Sequence, residues 1–426
     1  MTTEQLKRQV YAELRDNILP FWQTVARDRK NGGYVGQMDI QGVVDDQADK
    51  SVIAHARILW SFSTAYSECK DARYLDQAME TFDYLINHFI DKEFSGVFHT
   101  LTFDGKVVND DKDMVAQAYV VFALCAYYQA SQETPALRYA VLIAASIETY
   151  ARDISSGNYS LDTYCKVLTR DWQRKNDPDE SRHAQVHLHL IEAYTALLAC
   201  DFDQPIAASL KRLLELFCHR FVESSSHYVI QGYGQKWHGP SDKRLYGHDL
   251  EAACLLAQGA EVLGNDSLIR RCNEYGLSLV DQVIASHGAS NNGISLGINL
   301  GVIKGESIDN QRNGWVQAEA ISAFSWAYKV TGKAIYRQWL LGTWAYVMRF
   351  IKDHQHGDWF SGRNEDGSLV EDQLKIGPWK CPYHSVRACL TFYRQLDPSF
   401  ENHAQPQTQT HSQPQTLSKT LQQEVI

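Results

Sequence analysis

The chain has no excess of positive charge, because 41 Lys and Arg stand against 51 Asp and Glu for a formal net charge of −10. That balance steers it neither to nucleic acid nor to an anionic lipid surface, and neither is an expected partner. It has no apolar run long enough to span a bilayer, the longest lying near 118–128. Its first residues, Met1 to Arg8, carry no apolar stretch of the signal-peptide kind, so a soluble, cytoplasmic protein is expected. The nine cysteines are odd in number and include no C-x-x-C pair, which leaves little basis for a disulfide framework or a thiolate zinc site. Most of them read as small, reduced, buried residues. A Gly-rich phosphate loop and a His-Glu-x-x-His pattern are both absent. Long alternating strand patterns are nearly absent too. Aromatic residues, in contrast, are plentiful: ten Trp and twenty-two Tyr suit packing against flat apolar faces such as sugar rings, as well as an ordinary core.

Periodicity of 3.6 residues predicts about twelve helical stretches of two sorts. The first, near 3–28, 74–90, 135–153, 204–223, 265–286 and 333–353, carries charge on one side and reads as outer helices. The second, near 50–68, 113–131, 178–199, 245–263, 314–331 and 380–395, is poor in charge and reads as inner helices buried nearly all round. Points near the starts of the inner helices, Lys50, Asp113, Ser181, Leu245, Gly314 and Trp379, are spaced by 63, 68, 64, 69 and 65 residues, which is a repeat of helix pairs. A glycine- and turn-rich segment precedes each inner helix, such as Gly32 to Gly36 and Gly96 to Thr100, and reads as a short β-hairpin on one rim. Six alternating pairs predict an all-α fold, a closed (α/α)6 barrel, over about residues 1–400. An open solenoid is the competing form, but it needs a polar terminal cap and the last inner helix stays apolar. The Gln-, Pro- and Thr-rich segment 401–426 is expected to be a disordered tail.

In such a barrel the early turns of the inner helices converge on one funnel. There the sequence puts Arg57 in apolar company, then His183, His187, His189 and Glu192, then Tyr246 to Glu251 with His248 and Glu251 at i,i+3. Trp315 and Glu319 follow at i,i+4, and then Trp379 to His384. Three chemistries compete for this set. A metal site would use His183 and His187, but His189 faces another way and no third ligand is evident, so no metal is expected. Glycoside hydrolysis would use two carboxylates, Glu251 and Glu319. Proton transfer beside a carbonyl would use two histidines titrating near neutrality, and His248 and His384 meet that demand.

With these residues in place, the chain resembles the N-acylglucosamine 2-epimerase superfamily, most closely its cellobiose 2-epimerase branch. The resemblance rests on Asp49 to Trp60, His187 to Thr195, Tyr246 to Ala252, Trp315 to Ala320 and Pro378 to His384. It implies an (α/α)6 barrel and inversion at C2 of a reducing sugar with no cofactor, by ring opening, proton abstraction, an enediolate and reprotonation. His248 and His384 would be the acid/base pair and Arg57 the oxyanion stabiliser. His189 and Glu251 would open the ring, with Trp315, Glu319, Trp379 and Gln185 binding the sugar. A monomer or homodimer acting on a small sugar is implied. Gln185, Cys254, Val115 and Gly314 depart from the family pattern, the last three where an aromatic is frequent, which puts the sugar in question more than the reaction. A mannose isomerase or mannose 2-epimerase is therefore the alternative to cellobiose 2-epimerisation. A glycoside hydrolase and a barrel that only binds sugar are the readings from other classes.

Overall fold

The computed structural model describes residues 2–153, 163–175, 182–234, 237, 239–287, 297–303 and 307–396. The predicted tail, 401–426, lies outside them, as do Ser181 and the hairpin residues 159–162 and 293–296. The inner helices are α3 (Val52–Cys69), α5 (Met114–Ser131), α7 (Ala184–Cys200), α9 (Tyr246–Leu263), α11 (Gly314–Thr331) and α13 (Tyr383–Gln395). The outer helices are α1 (Thr3–Ala12) continuing into α2 (Leu19–Thr24), then α4 (Ala72–Tyr84), α6 (Thr134–Ser146), α8 (Gln204–Leu216), α10 (Asp266–Ser286) and α12 (Ala334–Tyr346). Each inner helix packs on the next, and α13 packs on α3, so the ring closes and the open solenoid is excluded.

Local chemistry sets the limits of these helices. Ser51 and Asp113 accept from the backbone N–H of Ala54 and Ala116, capping α3 and α5. Lys70, Gln132, Gly264 and Gly332 take left-handed conformations that stop α3, α5, α9 and α11. The third inner helix starts at Ala184 rather than near 178, because Arg182–His183 is a strand paired with Gly232–Tyr233. The last starts at Tyr383 rather than 380, which leaves Trp379 in the preceding loop, 48% exposed.

The rim is also a ring. The strand entering each inner helix pairs antiparallel with the hairpin of the next unit, as Lys50–Ser51 does with Thr100–Leu101 and Arg312–Asn313 with Gly362–Arg363. The last, Leu374–Ile376, returns to the first, Gln37–Asp39. One residue in the first turns of five inner helices ties the rim down. His55, Gln117, His187, Asp249 and Gln317 accept from the backbone N–H of Tyr34, Val97, Tyr164, Val229 and Ile298, at 3.2, 2.9, 3.2, 2.7 and 2.8 Å. Gly33 and Gly96, at φ +65° and +72°, make the turns beneath two of these clamps, and a Cβ on either would meet the clamping His55 Nε2 at 2.7 Å or Gln117 Oε1 at 2.8 Å. His187, considered above as a metal ligand, therefore has both ring nitrogens engaged, since its Nδ1 also donates to the His183 carbonyl at 2.8 Å. Burial lowers its pKa to about 4, and its part in this structure is to hold the rim.

Candidate active site

Two residues beyond each clamp, the inner helices point a second side chain at the barrel axis: Arg57, Tyr119, His189, Glu251 and Glu319. The same step on α13, where Ser385 stands at the clamp position, gives Arg387. All six are held in one network. Arg387 donates to Glu192 at 3.0 Å and to Glu251 at 2.9 Å, and its Nη2 lies 2.5 Å from Glu319. It also donates to the Tyr383 hydroxyl, which in turn donates to Glu192. Glu192 lies 3.2 Å from His189 Nδ1, and His189 Nε2 lies 3.0 Å from the Tyr119 hydroxyl, which accepts from Arg57. One guanidinium thus answers three buried carboxylates.

Above this floor lies a cavity of about 390 Å³. Arg57, Gln185, His189, His248, Glu251, Trp315, Trp379 and His384 line it, so eight of the nine expected site residues meet in one place. The ninth, Glu319, lies behind the wall. Its Oε1 accepts from His384 Nδ1 at 2.6 Å, one helical turn beyond Trp315 on α11. His248 and Glu251, paired on spacing alone, engage different partners: Arg387 holds Glu251, while His248 Nδ1 donates to Gln231 Oε1 at 2.5 Å. The Gln231 amide is oriented by its own Nε2, which donates to the Val229 carbonyl at 2.9 Å. Both imidazoles accordingly carry the proton on Nδ1 and leave Nε2 for the cavity. The Trp315 ring lies against both, with centroids 5.5 Å from His248 and 5.8 Å from His384. Gly247 makes room for that ring, since a Cβ there would stand 2.2 Å from it.

The electrostatics follow from burial. Desolvation lowers the His248 pKa to about 4, against the pull of Glu251. Desolvation, with Arg57 adding to it, takes His384 well below the ordinary histidine range. Both are neutral near pH 7. Burial raises Glu319 despite Arg387. Burial and Glu319 push Glu251 up as well, but Arg387, His189 and His384 outweigh them, and it lies below the usual carboxylate range. Arg57 is 3% exposed and its hydrogen-bond partners are neutral, namely the Trp379 carbonyl at 3.3 Å and the Tyr119 hydroxyl. Its charge faces the cavity uncompensated by a carboxylate of its own, a suitable arrangement for negative charge that develops there. Glu251, Glu319 and His384 bring ligand atoms within 4.8 Å of one another and could in principle hold a cation. The Arg387 guanidinium already binds both of those carboxylates.

Other lining residues were not singled out from the sequence: Asn313, Trp359, Phe360, Ser361, Gln373 and Lys380. Most come from the hairpins. Of the three positions where an aromatic is missing, only Gly314 reaches the cavity, while Val115 and Cys254 are buried away from it. A Cβ on Gly314 would stand 2.8 Å from the Phe360 carbonyl, so the hairpin fills that place and brings Trp359 and Phe360 to the wall. No helix among the described residues is long and apolar enough to cross a membrane.

The chain is similar to known proteins over most of its length. The chain is 32% identical to a cellobiose 2-epimerase of Bacteroides fragilis, over 91% of this chain and 98% of that one. It is 31% identical to a cellobiose 2-epimerase of Ruminococcus albus, over 90% and 97%. The structure of a cellobiose 2-epimerase from Bacillus thermoamylovorans superposes with a TM-score of 0.85 at 29% identity, covering 92% of this chain and all of that one. Residues 32–388 match the family model of N-acylglucosamine 2-epimerase, and the chain belongs to that family.

Proposed function

We propose that this protein is an isomerase, a cofactor-independent epimerase that inverts C2 of the reducing-end glucose of cellobiose or a related β-linked disaccharide. The observation that carries this reading is the pair of neutral imidazoles, His248 and His384, each presenting Nε2 to one cavity beside the uncompensated Arg57. In the opened sugar, one imidazole takes the C2 proton, and the electron pair moves onto the carbonyl oxygen to give the enediolate. Arg57 stabilises that oxygen. The other imidazole, having first taken a proton from solvent onto Nε2, returns that proton to the opposite face of C2, and the first imidazole then releases the C2 proton to solvent. Glu319 supports the imidazolium formed on His384, and Glu251 and His189 reach the ring oxygens as it opens. Trp315, Trp379 and Gln185 hold the sugar. Positive charge at the developing oxyanion comes from Arg57, so chelators should leave the rate unchanged. The barrel over about 1–400 acts as one catalytic domain, in the cytoplasm, with a small sugar as its ligand.

The hydrolase reading fares worse, because Glu251 and Glu319 converge on the same Arg387 nitrogen and Glu319 does not line the cavity. Two hydrolytic carboxylates would have a glycosidic bond between them, not a guanidinium. Incubation with cellobiose should yield a disaccharide epimer with no free glucose. Glucose release would assign the site to hydrolysis, and fructose formed from mannose with no turnover of cellobiose would assign it to the isomerase.

The pH profile follows from the lowered histidine pKa values. A general base works only when neutral, so the rate is lost as pH falls through its pKa. With His248 at about 4 and His384 also well below the ordinary range, the acid limb of kcat/KM should lie below pH 5. A limb centred near 6.5 would mean that the working bases are ordinary exposed histidines.

A further inference from the structure

Two of the rim-clamping histidines, His55 and His187, give the Nδ1 proton to the backbone carbonyl four residues back, on Ser51 and His183, each at 2.8 Å. His248 does not. Its Nδ1 donates to a side chain of the rim, Gln231 Oε1, at 2.5 Å. Gln231 is itself fixed twice. Its carbonyl accepts from the Ala184 N–H at 3.0 Å, which ties it to the start of α7, and its Nε2 donates to the Val229 carbonyl at 2.9 Å. The N–H of the same Val229 donates to Asp249, the residue after His248, at 2.7 Å. Three hydrogen bonds thus close a circuit from Asp249 through Val229 and Gln231 back to His248.

The circuit decides where the imidazole carries its hydrogen. With Nε2 of the amide spent on a carbonyl, only its acceptor oxygen faces the ring, so Nδ1 of His248 is protonated and Nε2 keeps its lone pair. Gln231 does not line the cavity and acts on it only through His248. Its neutrality sets it apart from the partner of His384. Glu319 is a carboxylate whose charge Arg387 answers, whereas the Gln231 side chain bonds His248 and Val229 and, among the described residues, no guanidinium. The charged and titratable groups that face His248 are Glu251 on its own helix, His189 on α7, Lys243 on the strand before α9 and Glu319 on α11. A carboxylate in contact with Nδ1 would add to Glu251 and Glu319 and favour the imidazolium, which is no base. We infer that Gln231 is a positioning residue, which holds His248 as a neutral base with its lone pair toward the cavity and so governs proton transfer at one face of C2 only. The inference rests on the proposed epimerase reading and deepens it.

Gln231→Leu and Gln231→Glu test it in the whole protein. The readouts are exchange of the C2 hydrogen with heavy water, started separately from cellobiose and from its C2 epimer, and the pH profile of kcat/KM. Without an acceptor at Nδ1 the ring of His248 can turn or move its proton to Nε2. Gln231→Leu should therefore slow exchange about 10- to 100-fold from the epimer whose C2–H faces His248, the usual cost of removing the partner that orients a working histidine, and leave the other within about twofold. Gln231→Glu restores the acceptor but charges it. Exchange should recover at high pH, with the acid limb standing at least about one pH unit above that of wild type. Exchange unaltered from both epimers in Gln231→Leu, or slowed equally from both, would overturn the inference, as would an unmoved acid limb in Gln231→Glu. A wild-type protein that exchanges C2 of neither sugar would remove the epimerase reading itself.

Discussion

His248→Ala and His384→Ala should each lower cellobiose epimerisation by about two to four orders of magnitude, the range expected for deleting a general acid/base group, with melting temperature little changed. Both side chains are only partly buried at the cavity wall, so truncation leaves no large internal void. The two losses should differ in kind. Each imidazole serves one face of C2, so a variant lacking one of them can still take the proton from the epimer whose C2–H faces the other. Deuterium from heavy water should then wash into one epimer in His248→Ala and into the other in His384→Ala, with no inversion in either. Exchange lost for both epimers in one variant and kept for both in the other would point to a single base serving both faces.

Arg387→Met should have the largest effect on stability. The wild-type guanidinium, deep in the floor, holds Glu192, Glu251 and Glu319, and its removal leaves three buried carboxylates facing one another. Stranding buried charge in this way costs about 3–5 kcal/mol. The pH dependence has a definite sign. In the wild type Glu251 is held below the usual carboxylate range, so its contribution is present above the unfolded pKa and is lost as pH falls through the folded one. Without Arg387, Glu251 and Glu319 both move up, the folded state binds more protons than the unfolded state above pH 4.5, and stability falls as pH rises there. Denaturant midpoints should therefore separate the variant from wild type more at pH 8 than at pH 5. Arg387 is a positioning residue, and kcat should fall as well, because Glu319 no longer sits fixed behind His384. A gap that is the same at both pH values would contradict the three-carboxylate account.

Much of this architecture is legible in the sequence because it repeats. The outer helices have one wet face and the inner helices none, and the regular spacing of their starts gives the number of units; closure needs only that the last inner helix stays apolar. The same repeat would have found what reading pair by pair missed. Aligned on the clamps His55, Gln117, His187, Asp249 and Gln317, the residues two steps on include Tyr119 and lead to Arg387 on the sixth helix, a charged residue in apolar surroundings just as Arg57 is. The resemblance puts Glu319 with the sugar-binding residues, while in the structure it stands one turn deeper than Trp315 and its Oε1 accepts from His384 Nδ1. The hairpin residues gave no such signal. Asn313, Phe360 and Gln373 meet only because a strand from one unit pairs with the hairpin of the next, a register set by the closed ring and not by any local pattern.

The most direct test of the account is proton NMR of wild-type protein with cellobiose in heavy water, following the C2 position. The two-imidazole account predicts a disaccharide product, glucose linked to mannose, that carries deuterium at C2, because the proton returned comes from a second imidazole in exchange with solvent. A product that keeps the original hydrogen at C2, or no inversion at that carbon at all, would contradict it.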